Sequence, residues 1–255
     1  CKNKPKSNKI KFIKLENNNK SFKKKIKEFS PNIIIHCAGI TDIEYCEKNK
    51  KNCKKVNIEL TKFICELANV NKSKLVYISS DHLFDGKNKS YSEKYKTSPL
   101  NYYGISKVIS EKIIDDKLKD FLIIRTNFFG SLRNKFKKNF LYFILKNLIK
   151  RRKIYLFKDV YYSPISISEL TRCLIKLINF KQVGIFNISG NERISKYKFG
   201  ILVARIFNLN EKLVIPIKIN EKKLVSRPLN MALSNKKLKK IGIKVKSLNT
   251  QLKKI

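Results

Sequence analysis

Tyr103-Gly-Ile-Ser-Lys107 sets a phenol and an ammonium four residues apart, which on a helix places both side chains on one face. A lysine cation beside a tyrosine favours the phenolate and draws the phenol pKa down from about 10 toward neutrality. Such a pair can act as a general acid or base near pH 7. The spacing alone is a weak signal: with 11 tyrosines and 50 lysines in 255 residues, about two matches arise by chance, and there are two. The other, Tyr142 to Lys146, lies among Phe140, Leu141, Phe143 and Leu145, where core packing explains it better.

The elements that must position the Tyr103 pair follow from hydrophobic periodicity. Between about residues 10 and 126, short β-rich apolar runs alternate with longer stretches of helical spacing, which predicts βαβ units and a parallel sheet. The expected elements are strands over 12–15, 32–37, 74–79 and 121–125 and helices over 21–29, about 52–69 and 99–117, the last opened by Pro99. The continuous apolar run at 32–37 predicts burial on both faces. Residues 80–98 are polar and turn-rich, with turn chemistry at Asp85-Gly86. Beyond 126, helices are expected over 136–152, 166–179 and 195–207, with strands at 154–157 and 184–188. Ligands of an open parallel sheet sit outside the C-terminal strand ends. Those ends fall at Ala38-Gly39, Ser79-Ser80-Asp81 and Thr126-Asn127, so one crevice is expected to gather them.

The apolar content of 42% is enough for a sizeable core. No apolar run approaches the roughly 20 residues that a membrane span needs. The formal charge is +39, yet only eight of the 58 basic residues are Arg, and the lysines spread from Lys2 to Lys254. Nucleic-acid recognition favours the guanidinium fork, so this pattern reads as compositional drift on a solvated surface, with weak polyanion adsorption and no specific nucleic-acid partner. Six cysteines without a CxxC pair and only two histidines imply reduced thiols in a cytoplasmic protein and no metal site. Cys37 and Cys65 read as small core residues rather than nucleophiles.

The run Ser79-Ser80-Asp81-His82-Leu83-Phe84-Asp85-Gly86, then Tyr91-Ser92-Glu93, then Pro99-Leu100-Asn101-Tyr102-Tyr103-Gly104-Ile105-Ser106-Lys107 resembles the extended short-chain dehydrogenase/reductase family. Within it, the chain is most similar to the dTDP-4-dehydrorhamnose reductases and related sugar-nucleotide reductases. The likeness continues through Pro31 to Thr41, Val56-Asn57, Arg125 to Gly130, Tyr162 to Ile165, Gly184 to Gly190 and Arg227 to Asn230. It implies NADPH- or NADH-dependent reduction of a nucleotide-linked 4-keto sugar in surface-polysaccharide precursor synthesis. It also implies catalytic roles for Tyr103, Lys107 and Ser80. Ala38, Gly39, Thr41 and Asn57 would line the cofactor beside Tyr103 and Lys107, while Ser80, Asp81, Phe128 and Arg227 would touch substrate. The reductases usually carry Thr where Ser80 stands and commonly Trp where Phe128 stands, which leaves room for a different sugar. The region also resembles the regulatory β subunit of methionine adenosyltransferase, and epimerase or dehydratase chemistry stays open. Bland readings stand beside these: a strand-ending hydroxyl for Ser80, a satisfied helix polar group for Asn57, a loop side chain for His82 and a surface ion pair for Arg227.

The resemblance implies an α/β fold, a Rossmann-like doubly wound parallel sheet that is incomplete at its N-terminus, with a small mixed α/β C-terminal substrate-binding region. The expected division is 1–153 and 154–255, with some later segments returning to the first unit. The family's glycine-rich turn falls in its first 35 to 40 residues, whereas no glycine here precedes Gly39. The chain opens on Cys1 without a methionine and is expected to be a fragment with impaired cofactor binding. Homodimerisation is left open.

Overall fold

The computed structural model describes residues 19–130 and 139–255. Helix α1 (Asn19–Phe29) ends before Pro31 and leads into strand β1 (Ile33–His36). A nearly continuous helical run follows: α2 (Ile43–Lys48), α3 (Lys50–Cys53), a π turn over Lys54–Glu59, and α4 (Leu60–Val70). Next come β2 (Lys74–Ile78), a long loop, α5 (Tyr102–Lys117), β3 (Phe121–Arg125) and the short β4 (Phe128–Phe129). The second half holds α6 (Phe140–Ile149), β5 (Ile154–Phe157), β6 (Tyr161–Tyr162), β7 (Ile165–Ser166) and α7 (Ile167–Asn179). It continues with β8 (Gly184–Asn187), β9 (Ile194–Ser195), α8 (Lys196–Ile206), β10 (Val214–Ile217), α9 (Lys236–Lys240) and α10 (Leu248–Leu252).

The main sheet runs β1-β2-β3-β8, every pair parallel. Alternate residues serve opposite faces, as the pleat dictates. Leu75, Tyr77 and Ile123 pack with Cys65, Ala68 and Ile114 of α4 and α5, while Val76, Leu122 and Ile124 pack with Leu170, Cys173 and Leu177 of α7 and Leu238 of α9. Helices therefore cover both faces of the parallel sheet that the alternation predicted, the doubly wound arrangement that the resemblance implied. A second core joins the parallel pair β5–β10 to α6, α8 and α10 through Leu141, Ile144, Leu156, Phe199, Val203 and Leu252. Segment 229–234 straps the two parts together: the Tyr161 amide donates to the Leu229 carbonyl and the Tyr161 carbonyl accepts from Met231 on one side, while the Tyr91 amide donates to the Ala232 carbonyl and the Tyr91 carbonyl accepts from Ser234 on the other.

Three local expectations are corrected. β1 is not buried on both faces: Ile33 and Ile35 are 37% and 51% exposed. It is one of the two edge strands among the described residues, and α7 and α9 pack on the sheet through β2, β3 and β8. Pro99 does not open α5; the helix starts at Tyr102, where the Asn101 carboxamide accepts the Gly104 amide at 3.0 Å, a stronger signal than the proline. Cys37 is exposed rather than a core residue, since it lies past the end of β1, whereas Cys65 is buried. The expectations for 12–15 and for the start of the helix at 136 lie outside the described residues.

Candidate active site

The first wall of the crevice is the loop after β1. Asn57, in the π turn, holds it with both ends of its carboxamide: Oδ1 accepts from the Ile40 amide at 2.7 Å and Nδ2 donates to the Ile40 carbonyl at 3.1 Å. Nδ2 also donates to Ser106 Oγ of α5 at 2.9 Å. The Asn57 carbonyl, displaced from the ordinary ladder, accepts the Thr61 hydroxyl at 2.6 Å and the Ser110 hydroxyl at 2.8 Å. Gly39 is pressed into this corner. A Cβ there would come within 3.3 Å of Asn57 Oδ1 and 3.7 Å of Lys107 Nζ. Ala38 and Thr41 lie exposed on the same loop.

The floor is the end of β2 together with the first turns of α5. Ser79 Oγ donates to Glu111 Oε1 at 2.5 Å, and Glu111 grips Arg125 of β3 through Nε at 3.1 Å and Nη2 at 2.7 Å, all of it buried. Arg125 Nη1 also donates to the Glu93 carbonyl at 3.3 Å, and the Glu93 carboxylate accepts the Asn187 amide at 2.9 Å. Tyr103, 6% exposed, lies beside Ser80. Lys107 Nζ donates to Tyr77 Oη and to the Ile78 carbonyl, each at 3.0 Å. The structure thus brings Ser80, Tyr103, Lys107, Gly39 and Asn57 together.

The expected lowering of the Tyr103 pKa is not found. Burial pushes the phenol above its ordinary value, and Asp81 and the thiols of Cys46 and Cys53 add to the push, with the Ser80 hydroxyl opposing. Burial also brings Lys107 down to about 8, with Glu111 opposing. Helical spacing put the two side chains on one face but said nothing of the water they lose there.

Beyond Tyr103 opens a pocket of about 340 Å³, lined by His82, Lys196, Arg227 and Met231 with Phe140, Phe143, Tyr155 and Phe157 among its apolar walls. His82 packs edge-on to the Tyr103 ring at 5.8 Å. Asp81 Oδ2 accepts from Asn127 Nδ2 at 2.5 Å, and burial raises this carboxyl to about 6. Lys196 Nζ stands 3.4 Å from the Tyr162 ring centroid and 4.9 Å from that of Phe140; burial lowers it to about 8, with Asp81 opposing. His82 is held down at about 3 by burial and then by Lys196 and Arg227. His82 Nδ1, Thr126 Oγ1 and Tyr162 Oη are buried without a protein partner, so the region around Asp81 has hydrogen-bonding capacity to offer a polar ligand.

Arg227 lines this pocket and is also paired with Glu44. Phe128 is 46% exposed and does not line the pocket. His82 is a half-buried side chain of the loop after β2 and forms one wall of the pocket. Sequence reasoning missed Lys196, Asn127 and Tyr162. Tyr162 and Asn127 lay inside quoted motifs, but one lysine among 50 carries no mark of its burial. Among the described residues no cluster of three or more His, Cys, Asp or Glu could hold a metal ion, and no helix is long and apolar enough to cross a membrane.

Residues 12–255 match the family described as RmlD substrate binding domain. The chain belongs to this family. Within its wider circle, the chain is 26% identical over 236 residues to methionine adenosyltransferase 2 subunit beta of Rattus norvegicus, covering 86% of this chain and 67% of that protein. It is 30% identical over 187 residues to a dTDP-4-dehydrorhamnose reductase of Aggregatibacter actinomycetemcomitans, covering 70% of this chain and 62% of the relative. Among solved structures, the dTDP-4-dehydrorhamnose reductase from Bacillus anthracis in complex with NADP superposes with a TM-score of 0.87 at 25% identity, covering 93% of this chain and 84% of that one. A hypothetical dTDP-4-dehydrorhamnose reductase from Sulfolobus tokodaii gives 0.81 at 31% identity, covering 91% and 82%. At 15% identity, a UDP-glucose 4-epimerase from Thermus thermophilus shares the fold of this RmlD-type chain.

Proposed function

We propose that the protein reduces the 4-keto group of a nucleotide-linked sugar with NADPH or NADH, in the cytoplasm, for the synthesis of surface-polysaccharide precursors. The observation that carries this reading is the buried Tyr103 beside Ser80, one helical turn from Lys107 and in ring contact with His82, which lines a pocket that offers both cations and aromatic rings. The residues present fit the nicotinamide end of the cofactor. Gly39 leaves room beside Lys107, whose third N–H remains after Tyr77 and Ile78 have taken two, ready for a ribose hydroxyl. Bound there, the cofactor supplies the hydride.

The protein's own groups then handle the proton. Tyr103, kept protonated by burial, donates to the keto oxygen, and protonated is the form a reduction requires. Ser80 Oγ donates a hydrogen bond to the same oxygen as charge develops on it. The Lys107 ammonium stabilises the phenolate left behind. Asp81 and Asn127 meet sugar hydroxyls, while Lys196 and Arg227 supply the positive charge that a diphosphate needs.

The test is NADPH consumption in the presence of a dTDP-linked 4-keto sugar. Tyr103→Phe should cut turnover by about 10²–10⁴-fold while leaving the circular dichroism spectrum unchanged; an unaltered rate removes Tyr103 from the chemistry. A second reading, a regulatory subunit, is supported by the relatives named methionine adenosyltransferase 2 subunit beta. Under it the unaltered protein would turn over no keto sugar but would change the kinetics of a methionine adenosyltransferase catalytic subunit.

A further inference from the structure

Two thiols that the reduction chemistry does not use face one another behind Tyr103. Cys46 of α2 and Cys53 of α3 are both fully buried, with sulfurs 3.0 Å apart. That is about 1 Å beyond the roughly 2.05 Å of a disulfide bond. In one straight helix, seven residues would separate the two Cα atoms by about 10 Å, too far for a bridge. Here the backbone leaves helical geometry at Asn49 (φ −125°, ψ 56°), the junction of the two helices, and the turn folds the cysteines onto each other. The pair is wired into the crevice wall. Cys46 Sγ donates to the Ile40 carbonyl at 3.8 Å, Asn57 Nδ2 donates to Cys53 Sγ at 3.4 Å, and Tyr103 completes the same cluster with Ile40, Ile43 and Tyr102.

We propose that Cys46 and Cys53 are a site of reversible oxidation that closes to an intramolecular disulfide. With a small-molecule disulfide as oxidant, one cysteine thiolate attacks it and releases a thiol, forming a mixed disulfide. The second cysteine displaces the other half as a second thiol. Two electrons and two protons pass to the oxidant, and one S–S bond forms in the protein for the one lost. Burial pushes the Cys46 thiol up, so closure is slow at neutral pH and accelerates as pH rises. Closure draws α2 toward α3 and shifts the sulfur that Asn57 contacts, directly beneath the Ile40 loop.

The experiment needs no turnover, so its outcome is independent of the catalytic reading. The folded protein is equilibrated with oxidised or reduced glutathione at pH 8, denatured with an alkylating agent, digested and weighed. Expected is a two-hydrogen loss confined to peptides bearing Cys46 and Cys53, reversed by dithiothreitol and absent from Cys46→Ala and from Cys53→Ala. Cys37→Ser, which alters an exposed thiol, should still form the bridge. The proposal is overturned if both cysteines alkylate fully after oxidation, if either retains glutathione, or if the bridge maps to another cysteine. Mapping on the unsubstituted protein decides the matter even where an alanine variant fails to fold.

Discussion

Gly104→Ala offers a sharp trial of how α5 is seated. Gly104 is the third residue of α5, and a Cβ built there would lie 2.3 Å from the His82 carbonyl oxygen and 2.8 Å from Pro99 Cβ. Two effects compete. Alanine gains up to about 1 kcal/mol over glycine in helix propensity. Against it, the contact falls about 0.7 Å short of the 3.0 Å below which real Cβ atoms are essentially never found, and the obstacle is backbone rather than a flexible side-chain tip. Overpacking of this kind costs about 1–3 kcal/mol, and the upper part of that range applies here, so the variant should be destabilised by about 2 kcal/mol net. For a chain of this size that lowers Tm by roughly 4–8 °C in a calorimetric or fluorescence melt. The relief must come by moving α5 away from the 80–82 loop, which parts Tyr103 from Ser80, and a misplacement near 1 Å costs about 100-fold in rate. Lys112→Ala, an exposed change on the same helix, serves as the control. A Tm for Gly104→Ala equal to or above that of the parent would show that the helix is not seated against the His82 carbonyl, and the reasoning would fail.

Glu111→Gln leaves Arg125 as a buried charge without its carboxylate and should lower unfolding stability by about 3–5 kcal/mol, read from the urea midpoint; a change under about 1 kcal/mol would refute the supporting role given to the pair. The two histidines give a clean titration, because the chain has no others. Burial holds His36 at about 4 and His82 at about 3, so both imidazoles should stay neutral by NMR down to pH 5. The unfolded chain binds those protons from pH 6.5 downward while the folded chain does not. Stability from His36 alone should therefore fall by up to about 3 kcal/mol as pH drops from 6.5 to 4, and a midpoint near 6.5 for either ring would contradict the burial argument.

Much of this architecture was legible because each signal was local. The apolar runs at 74–79 and 121–125 are almost wholly buried strands, and the helical spacing at about 52–69 and 166–179 is helical in each case, the first interrupted by the π turn over 54–59. Tyr103, Lys107, Ser80, Gly39 and Asn57 were all nameable from motifs, and they do converge. What stayed hidden was set by neighbours far along the chain. The exposure of Ile33 depends on which strands lie beyond it, and the start of α5 on an asparagine that outcompetes a proline. The upward shift of the Tyr103 pKa comes from desolvation, which no spacing rule records. Lys196 reaches Tyr162 and Asp81 only because β9 turns back antiparallel beside β6.

The Arg125–Glu111 pair keys four segments to one point: the end of β2 through Ser79, α5 through Glu111 itself, the long loop through the Glu93 carbonyl and, by way of the Glu93 carboxylate, the end of β8. None of these anchors faces the ligand. The pocket wall is contributed by other side chains, from the start of the 80–98 loop, α6, β5, the start of α8 and the strap near Arg227. Foundation and façade are thus separate masonry. A lineage can redecorate the chamber residue by residue while the keystone that aligns β2, β3, α5 and β8 stays untouched.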